Sequence, residues 1–211
     1  FSENENLPAY LFMCVITSLF MGLMISSEEI LKDRKILKRE SFLNLSWFSY
    51  INSKVAIMFL ISAVNTISYV LVGNLILEIK GMTLSYWIIL FTTSCTANLL
   101  GLNISSAFNS VITIYILIPF IIIPQLLFSG VLVKFDKLHR TYRSTYEYVP
   151  VIGDLMTARW SFEALAVEQF KNNRFENNFF NYNIEKSQND WYAAFLIPEL
   201  EKKAQLCSYY K

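Results

Sequence analysis

Charge, histidine and glycine are all scarce in this sequence of 211 residues. Charged residues make up 17% of it and hydrophobic residues 54%, and the mean hydropathy is +0.38. This balance argues against an ordinary soluble globule. The formal net charge is only +1, so the chain has no strong basic field, and we expect no nucleic-acid partner.

Motifs for nucleotide, metal or acyl-transfer chemistry are missing as well. None of the six glycines precedes a lysine, so the phosphate-binding pattern G-x-x-x-x-G-K-[ST] is absent and we expect no ATPase site in this chain. His139 is the only histidine and has no neighbouring set of ligands, which argues against a metal centre and against histidine-based catalysis. We therefore expect a chain that is not itself an enzyme and that holds no cofactor.

The cysteines and the first residue give little information about the compartment. Cys14, Cys95 and Cys207 lie far apart without a C-x-x-C pair, so neither a disulfide framework nor a zinc site is indicated. The chain begins at Phe1 and has no basic segment before its first apolar run, which is therefore not a secretory signal. We interpret the sequence as a piece of a longer protein.

Long uncharged runs dominate what is present. A bilayer crossing needs about 20 apolar residues, and uncharged runs cover residues 6–27, 55–77 and 81–133. The third run is long enough for two crossings and is weakest at 101–110, which is rich in Gly, Asn and Ser. We predict an all-α integral membrane protein with a transmembrane region over 1–133 and four transmembrane helices near 7–26, 55–77, 84–101 and 111–133. The alternative, buried helices of a large soluble protein, is disfavoured by the length of the runs.

Lysine and arginine near the span ends indicate the orientation. Six of them lie between the first two spans: Lys32, Arg34, Lys35, Lys38, Arg39 and Lys54. The positive-inside rule places this loop, 28–54, in the cytoplasm. The polar residues 134–211 are then a mostly helical extracytoplasmic tail. The tail begins with four opposing charges, which a long translocated segment tolerates: Lys134, Lys137, Arg140 and Arg143.

Residues 28–40 (EEILKDRKILKRE) predict a short charged helix within that loop. Ser26 and Glu29 have the spacing of a capping box, and Glu28 and Lys32 have that of an i,i+4 ion pair. Composition alone leaves two interpretations open, a solvated connector and a helix that docks on a partner. Three aromatic residues mark the return to the membrane interface: Trp47, Phe48 and Tyr50.

The tail predicts two helices separated by a loop. Asp154 can cap a helix from Leu155 to Phe170 that is too short to span, and this helix would lie on the membrane or re-enter it. Residues 171–190 are rich in Asn and charge and predict a loop, and 191–206 predicts a further helix.

Ionisable residues are absent from the predicted spans, which argues against a self-powered secondary transporter. Hydroxyl and amide groups occur there instead, and we favour interhelical hydrogen bonding over substrate contact as their role. Pro119 and Pro124 predict a kink in the last span. The hydroxyl and amide residues are Asn65, Thr66, Thr92, Thr93, Ser94, Thr96, Asn98, Asn103, Ser105, Ser106 and Asn109.

Four stretches, taken in order, resemble the membrane domain of ABC type-2 exporters of the G-subfamily kind, which includes white, sterol and multidrug exporters. The charged loop from Glu28 to Glu40 resembles the loop after that family's second span, and Tyr50-Ile-Asn-Ser-Lys54 resembles its S-Y-F-x-x-K motif. Phe128-Ser-Gly130 matches the F-S-G that closes the fifth span. The fourth stretch, Arg159-Trp-Ser-Phe-Glu-Ala-Leu165 with Glu168-Gln-Phe170, is similar to the family's R-Y-x-F-E-A-L and N-E-F run.

The resemblance implies that the four spans correspond to the family's second to fifth, and that 28–40 is similar to its coupling helix, which docks on the ATP-binding domain. The implied coupling residues are Glu28, Asp33, Arg34, Lys35, Lys38 and Glu40. Carried over by position, the substrate-cavity residues are Ser18, Met21, Pro119 and Ile123, and the gate residues are Val131 and Leu132. Met21 stands where the family has an aromatic residue, so no substrate preference is carried over.

We therefore expect the permease portion of an ATP-driven exporter of an amphipathic or hydrophobic substrate. It would lie in the plasma or inner membrane and pair with a second membrane domain as a dimer. ATP and Mg²⁺ would be bound by a nucleotide-binding domain outside this chain. The alternative is a membrane anchor that displays the tail as a receptor or assembly module. An intramembrane enzyme is disfavoured for want of an acid, a base or metal ligands.

Overall fold

The computed structural model describes residues 6–40, 46–79, 81–133, 151–173 and 176–209. These ranges contain helices and no β-strand, so the prediction of an all-α protein is confirmed. His139 and the four basic residues at the start of the tail lie outside the described ranges. The chain divides into two compact units, Phe1–Val167 and Glu168–Lys211.

Five helices make up most of the first unit. They are α1 (Leu7–Ser26), α2 (Glu29–Glu40), α3 (Trp47–Ile76), α4 (Thr83–Ala107) and α5 (Val111–Leu127).

Three stretches are long and apolar enough to cross a membrane: Leu7–Arg39, Trp47–Ile76 and Thr83–Ala107. The apolar helix α5 has 17 residues and continues through both of its prolines. At about 1.5 Å per residue it is about 25 Å long. It ends at Leu127, short of residue 133, because the chain turns there and Gly130 adopts a positive φ of 80°.

Small residues let α1 and α4 approach each other closely. A Cβ atom added to Gly22 would lie 2.8 Å from the Ala97 Cβ and 2.8 Å from the Ser94 carbonyl oxygen. A Cβ on Gly101 would lie 3.1 Å from the Leu23 carbonyl oxygen. Since lipid tails are as apolar as the side chains, packing rather than the hydrophobic effect holds such helices together. The two glycines therefore set the α1–α4 distance.

Helix α3 packs one narrow face inward and leaves a wide apolar face outside. Its buried residues recur every fourth position: Met58, Ser62, Thr66, Val70 and Asn74. Leu60 and Leu75 on the outside are 68% and 80% exposed. A continuous apolar surface of this kind suits a lipid environment and is rare on soluble monomers.

A short helix, α6 (Val151–Leu155), precedes α7 (Thr157–Lys171), and α7 confirms the helix expected from Leu155 to Phe170 within two residues. Met156, which is not helical, separates the two helices. Asp154 lies inside α6, not at the N-cap of the following helix, and its carboxylate pairs with Arg159. The expectation of a cap at Asp154 was therefore wrong, because an ion pair to the next helix occupies this side chain.

The first turns of α7 pack against the spans. The Ser161 hydroxyl lies 2.6 Å from the Thr93 hydroxyl, and the Ala158 amide donates to the Gln125 side-chain oxygen at 3.0 Å. Thr93 lies ten residues after the start of α4 at Thr83, about 15 Å along the helix axis. The start of α7 is thus buried beside the middle of a span.

The second unit is helical where a loop was expected. Helix α8 spans Glu176–Trp191, a π-helical turn covers Tyr192–Leu196, and α9 runs over Ile197–Tyr209. The loop prediction for 171–190 was wrong because asparagine only weakly disfavours a helix and this segment has no Gly or Pro to stop one. The π-helical turn precedes Pro198, which lacks a backbone N–H and therefore interrupts the α-helical hydrogen-bonding pattern.

Enlarging Gly22 should separate α1 from α4. We expect Gly22→Leu to lower the free energy of unfolding by about 2 kcal/mol or more, since the backbone of α4 cannot move aside cheaply. The measurement is the melting temperature of the purified protein in detergent. Ala56→Leu is the matched control, because it adds the same side chain at an exposed position of α3. Equal melting temperatures for the two variants would contradict the close packing described here.

Candidate functional site

The polar helix α2 touches the ends of three spans. It follows α1 after a turn at residues 27–28, and it contacts the first two turns of α3 and the last turn of α4. The helix has hydrophobic residues at only four of its 12 positions, so it cannot enter the hydrocarbon core. Its contacts to the spans are therefore polar ones at their ends.

One lysine of α3 binds two carboxylates of α2. The Lys54 ammonium nitrogen lies 2.9 Å from Glu29 Oε2 and 2.7 Å from Asp33 Oδ2. Glu29 and Asp33 are four residues apart, so both face the same side of α2. We call these three residues the Lys54 clamp.

Tyr50 completes the clamp from one turn earlier in α3. Its hydroxyl donates to Asp33 Oδ2 at 3.0 Å. The hydrogen bond from Lys54 lowers the pKa of the Asp33 carboxyl below its usual range; burial opposes this effect and the Tyr50 hydroxyl adds to it. Asp33 therefore stays ionised at neutral pH, as the ion pair requires.

Helix α4 supplies the N-terminal cap of α2. The backbone amides of Ile30 and Leu31 both donate to the hydroxyl of Ser105 at 3.0 Å. The predicted capping box with Ser26 was wrong, because α1 extends through Ser26 and its hydroxyl donates back to the Gly22 carbonyl at 2.8 Å. A serine distant in sequence thus satisfies amides that a local serine was expected to satisfy.

Arg34 adds a second contact to α4. Its guanidinium donates to the Ser106 carbonyl at 2.8 Å. The predicted i,i+4 pair of Glu28 and Lys32 is confirmed at 2.8 Å. Among the coupling residues that the sequence suggested, Glu28, Asp33 and Arg34 are thus engaged within the chain, while Glu40 is the last residue of α2.

No helix of the described ranges covers two other sides of α2. The outer face of α2 consists of Lys32, Lys35, Ile36 and Arg39, which are all exposed, and Ile36 is 45% exposed. On the opposite side, a groove of about 460 Å³ separates α2 from the span ends. This α2 groove is lined by Ile30, Arg34, Leu37, Lys38, Trp47 and Ser106.

Polar groups within the spans mostly bond to neighbouring helices or to their own. The Ser62 hydroxyl accepts from the Ser94 hydroxyl at 2.9 Å and from the Asn98 amide at 2.7 Å. Asn98 also donates to the Met58 carbonyl at 3.3 Å. Thr66 bonds to carbonyls of its own helix. These contacts join α3 to α4, which is the packing role favoured from the sequence.

The cavity and gate candidates differ in how far they are exposed in the single chain. Ser18 is buried and its hydroxyl donates to the Leu90 carbonyl at 2.7 Å, so it faces α4. Met21 and Ile123 are 42% and 50% exposed, and Pro119 is exposed on the same helix as Ile123. Val131 and Leu132 lie in the bend after Gly130, with Leu132 60% exposed. The cavity and gate roles remain predictions.

Three apolar helices of spanning length, with a clamped polar helix outside them, define an integral membrane protein. Residues 1–166 match the family of ABC-2 type transporter membrane domains, and the chain belongs to this family. No curated protein and no solved structure matches the chain. The chain is therefore a transmembrane permease component of an ABC transporter. This membrane component is not itself an ATPase, and its family implies an ABC ATPase as its partner.

Removing the lysine of the clamp should loosen α2. Lys54→Gln leaves two partly buried carboxylates without their cation, so we expect amide hydrogen exchange in α2 to accelerate about tenfold. Lys32→Gln is the control; its side chain is 64% exposed, and we expect a change below about twofold. Mass spectrometry of exchanged peptides from 29–40 measures both. Similar exchange in the two variants would show that the clamp does not hold α2.

Proposed function

We propose that this chain is the permease part of an exporter of the G-subfamily kind, and that α2 is its coupling helix. The observation that carries the proposal is the asymmetry of α2. One side is tied to α3 and α4 by Lys54 and Ser105, while the outer face is exposed and carries Ile36 amid cations. An apolar side chain exposed on a charged helix is a suitable contact for a partner protein.

The ties give α2 a way to pass motion to the spans. The clamp contacts α3, Ser105 and Ser106 belong to α4, and α1 leads into α2 through a short turn. A displacement of α2 by the ATPase would therefore displace the ends of three spans together. On this proposal Asp33 and Arg34 hold α2 against the spans, while Glu28 pairs locally with Lys32.

Of the remaining coupling residues, Lys35 would meet the ATPase, whereas Lys38 lies on the groove side of α2. Lys35 lies on the outer face and is exposed, and Lys38 and Glu40 follow it towards the end of α2. ATP and Mg²⁺ would bind to the ATPase, consistent with the lack of a phosphate-binding loop in this sequence. The cytoplasmic position of α2 follows from the basic residues of the loop.

The substrate path would form between two membrane domains. Met21 on α1 and Pro119 and Ile123 on α5 are exposed in the single chain, and a second membrane domain would cover them in a dimer. The uncharged lining suits a hydrophobic or amphipathic substrate. Ser18 would support this wall from behind, since its hydroxyl is bonded to α4. Val131 and Leu132 would close the outer end of the path.

A double substitution on the outer face tests the coupling role. We expect Lys35→Glu with Ile36→Asp in the intact transporter to reduce transport about tenfold or more, because the ATPase loses both an ionic and an apolar contact. Substrate-stimulated ATPase activity and transport in vesicles are the measurements. Lys203→Glu, at an exposed lysine of α9, is the charge-reversal control. Wild-type transport in the double variant would rule out this face as the coupling surface.

Two single-cysteine variants test the proposed topology, in which the tail lies outside and α7 re-enters the bilayer. In a variant whose native cysteines are replaced by alanine, an impermeant maleimide added outside should label Leu155→Cys, which is 82% exposed at the end of α6. Ser161→Cys, at a buried position next to Thr93, should react only after denaturation. Labelling of Leu155→Cys from the cytoplasm would overturn the orientation.

A further inference from the structure

The α2 groove is distinct from the outer face of α2. On a helix each residue turns by about 100°, so Ile30 and Arg34 lie on the side opposite Lys35 and Arg39. The groove also includes Trp47 from the start of α3 and Ser106 from the end of α4. The groove therefore opens between α2 and the ends of α3 and α4 at the membrane boundary. A protein that docks on the outer face would leave it uncovered.

Two cations line the groove, Arg34 and Lys38. Three carboxylates at the start of α2 and just before it are paired with lysines outside the groove lining. Glu29 and Asp33 bind Lys54, and Glu28 binds Lys32. Within the described ranges no carboxylate pairs with Arg34, whose guanidinium keeps further N–H donors besides the one bound to Ser106. An anion placed here would meet two cations and no opposing carboxylate of the clamp.

The rest of the groove is apolar. Ile30 and Trp47 contribute most of its accessible hydrocarbon surface, since Leu37 is only 7% exposed. Trp47 is 61% exposed at the end of a span, the position where tryptophan prefers the boundary of headgroups and acyl chains. An occupant must therefore combine an anionic head with a hydrocarbon part, and it must be present at the membrane boundary.

We propose that the α2 groove binds an anionic phospholipid. The phosphate lies between Arg34 and Lys38, and the first part of an acyl chain lies against Ile30 and Trp47. The lipid bridges α2 to α3 and α4 beside the Lys54 clamp. This proposal goes beyond the coupling function, because lipid binding is measured without nucleotide, ATPase or transport.

Two variants with equal charge changes test the site. Arg34→Gln/Lys38→Gln removes two cations from the groove, and Lys35→Gln/Arg39→Gln removes two from the outer face. Native mass spectrometry of the intact protein measures binding of phosphatidylglycerol and phosphatidylcholine. We expect the preference for phosphatidylglycerol to fall about tenfold in the groove variant and less than twofold in the outer-face variant.

Three results would overturn the proposal. They are no preference for phosphatidylglycerol in the wild type, equal losses in the two variants, and displacement of the lipid by glycerol phosphate at equal concentration. Equal losses would indicate a diffuse attraction to all basic residues. Displacement by glycerol phosphate would indicate an anion site without a contribution from the acyl chain.

A measurement on a single aromatic residue covers the case in which the groove variant fails to fold. Phosphatidylglycerol with brominated acyl chains should quench wild-type tryptophan emission more than brominated phosphatidylcholine does. Trp47→Phe, which removes one of four tryptophans, should abolish this difference. A difference that persists in Trp47→Phe would place the lipid elsewhere and contradict the proposal.

Discussion

The ammonium group of Lys54 is the point on which the arrangement of this protein depends. Lys54 lies near the start of α3, a helix that belongs in lipid. By binding Glu29 and Asp33 it joins α3 to α2, a helix that belongs in water. These side chains are between 20% and 27% exposed, so their charges lose only part of their hydration while solvent screens them incompletely. The position at the boundary is thus favourable for an ion pair. Deeper in the membrane the same charges would be costly.

The spans themselves are joined by different means. Gly22 and Gly101 allow close approach of α1 and α4, and Ser62 collects hydrogen bonds from two residues of α4. Each such hydrogen bond contributes only about 0.6 kcal/mol on average in membranes. The bundle therefore relies on many weak contacts, whereas α2 relies on a few strong ones. We therefore expect a single substitution in the clamp to cost more than the loss of any one hydrogen bond between the spans.

Much of this arrangement could be predicted from local pattern. The uncharged run ending before Glu28 predicted α1 with its observed bounds, and the charged segment 28–40 predicted α2 within one residue. The cap from Ser105, the Thr93–Ser161 contact and the clamp could not be derived in the same way, because they join residues distant in sequence. The helix Glu176–Trp191 was missed for another reason, since its asparagines resemble a loop in composition.

The cap from α4 has a consequence for biosynthesis. Ile30 and Ser105 are separated by 75 positions, so the ribosome must complete most of two further spans before the hydroxyl that caps α2 exists. An isolated helix of 12 residues is at best marginal in water. The first turn of α2 is therefore expected to stay frayed until α4 has inserted beside α1. A chain whose α4 fails to insert would present a frayed α2 to the ABC ATPase. We expect such faulty copies not to assemble with it.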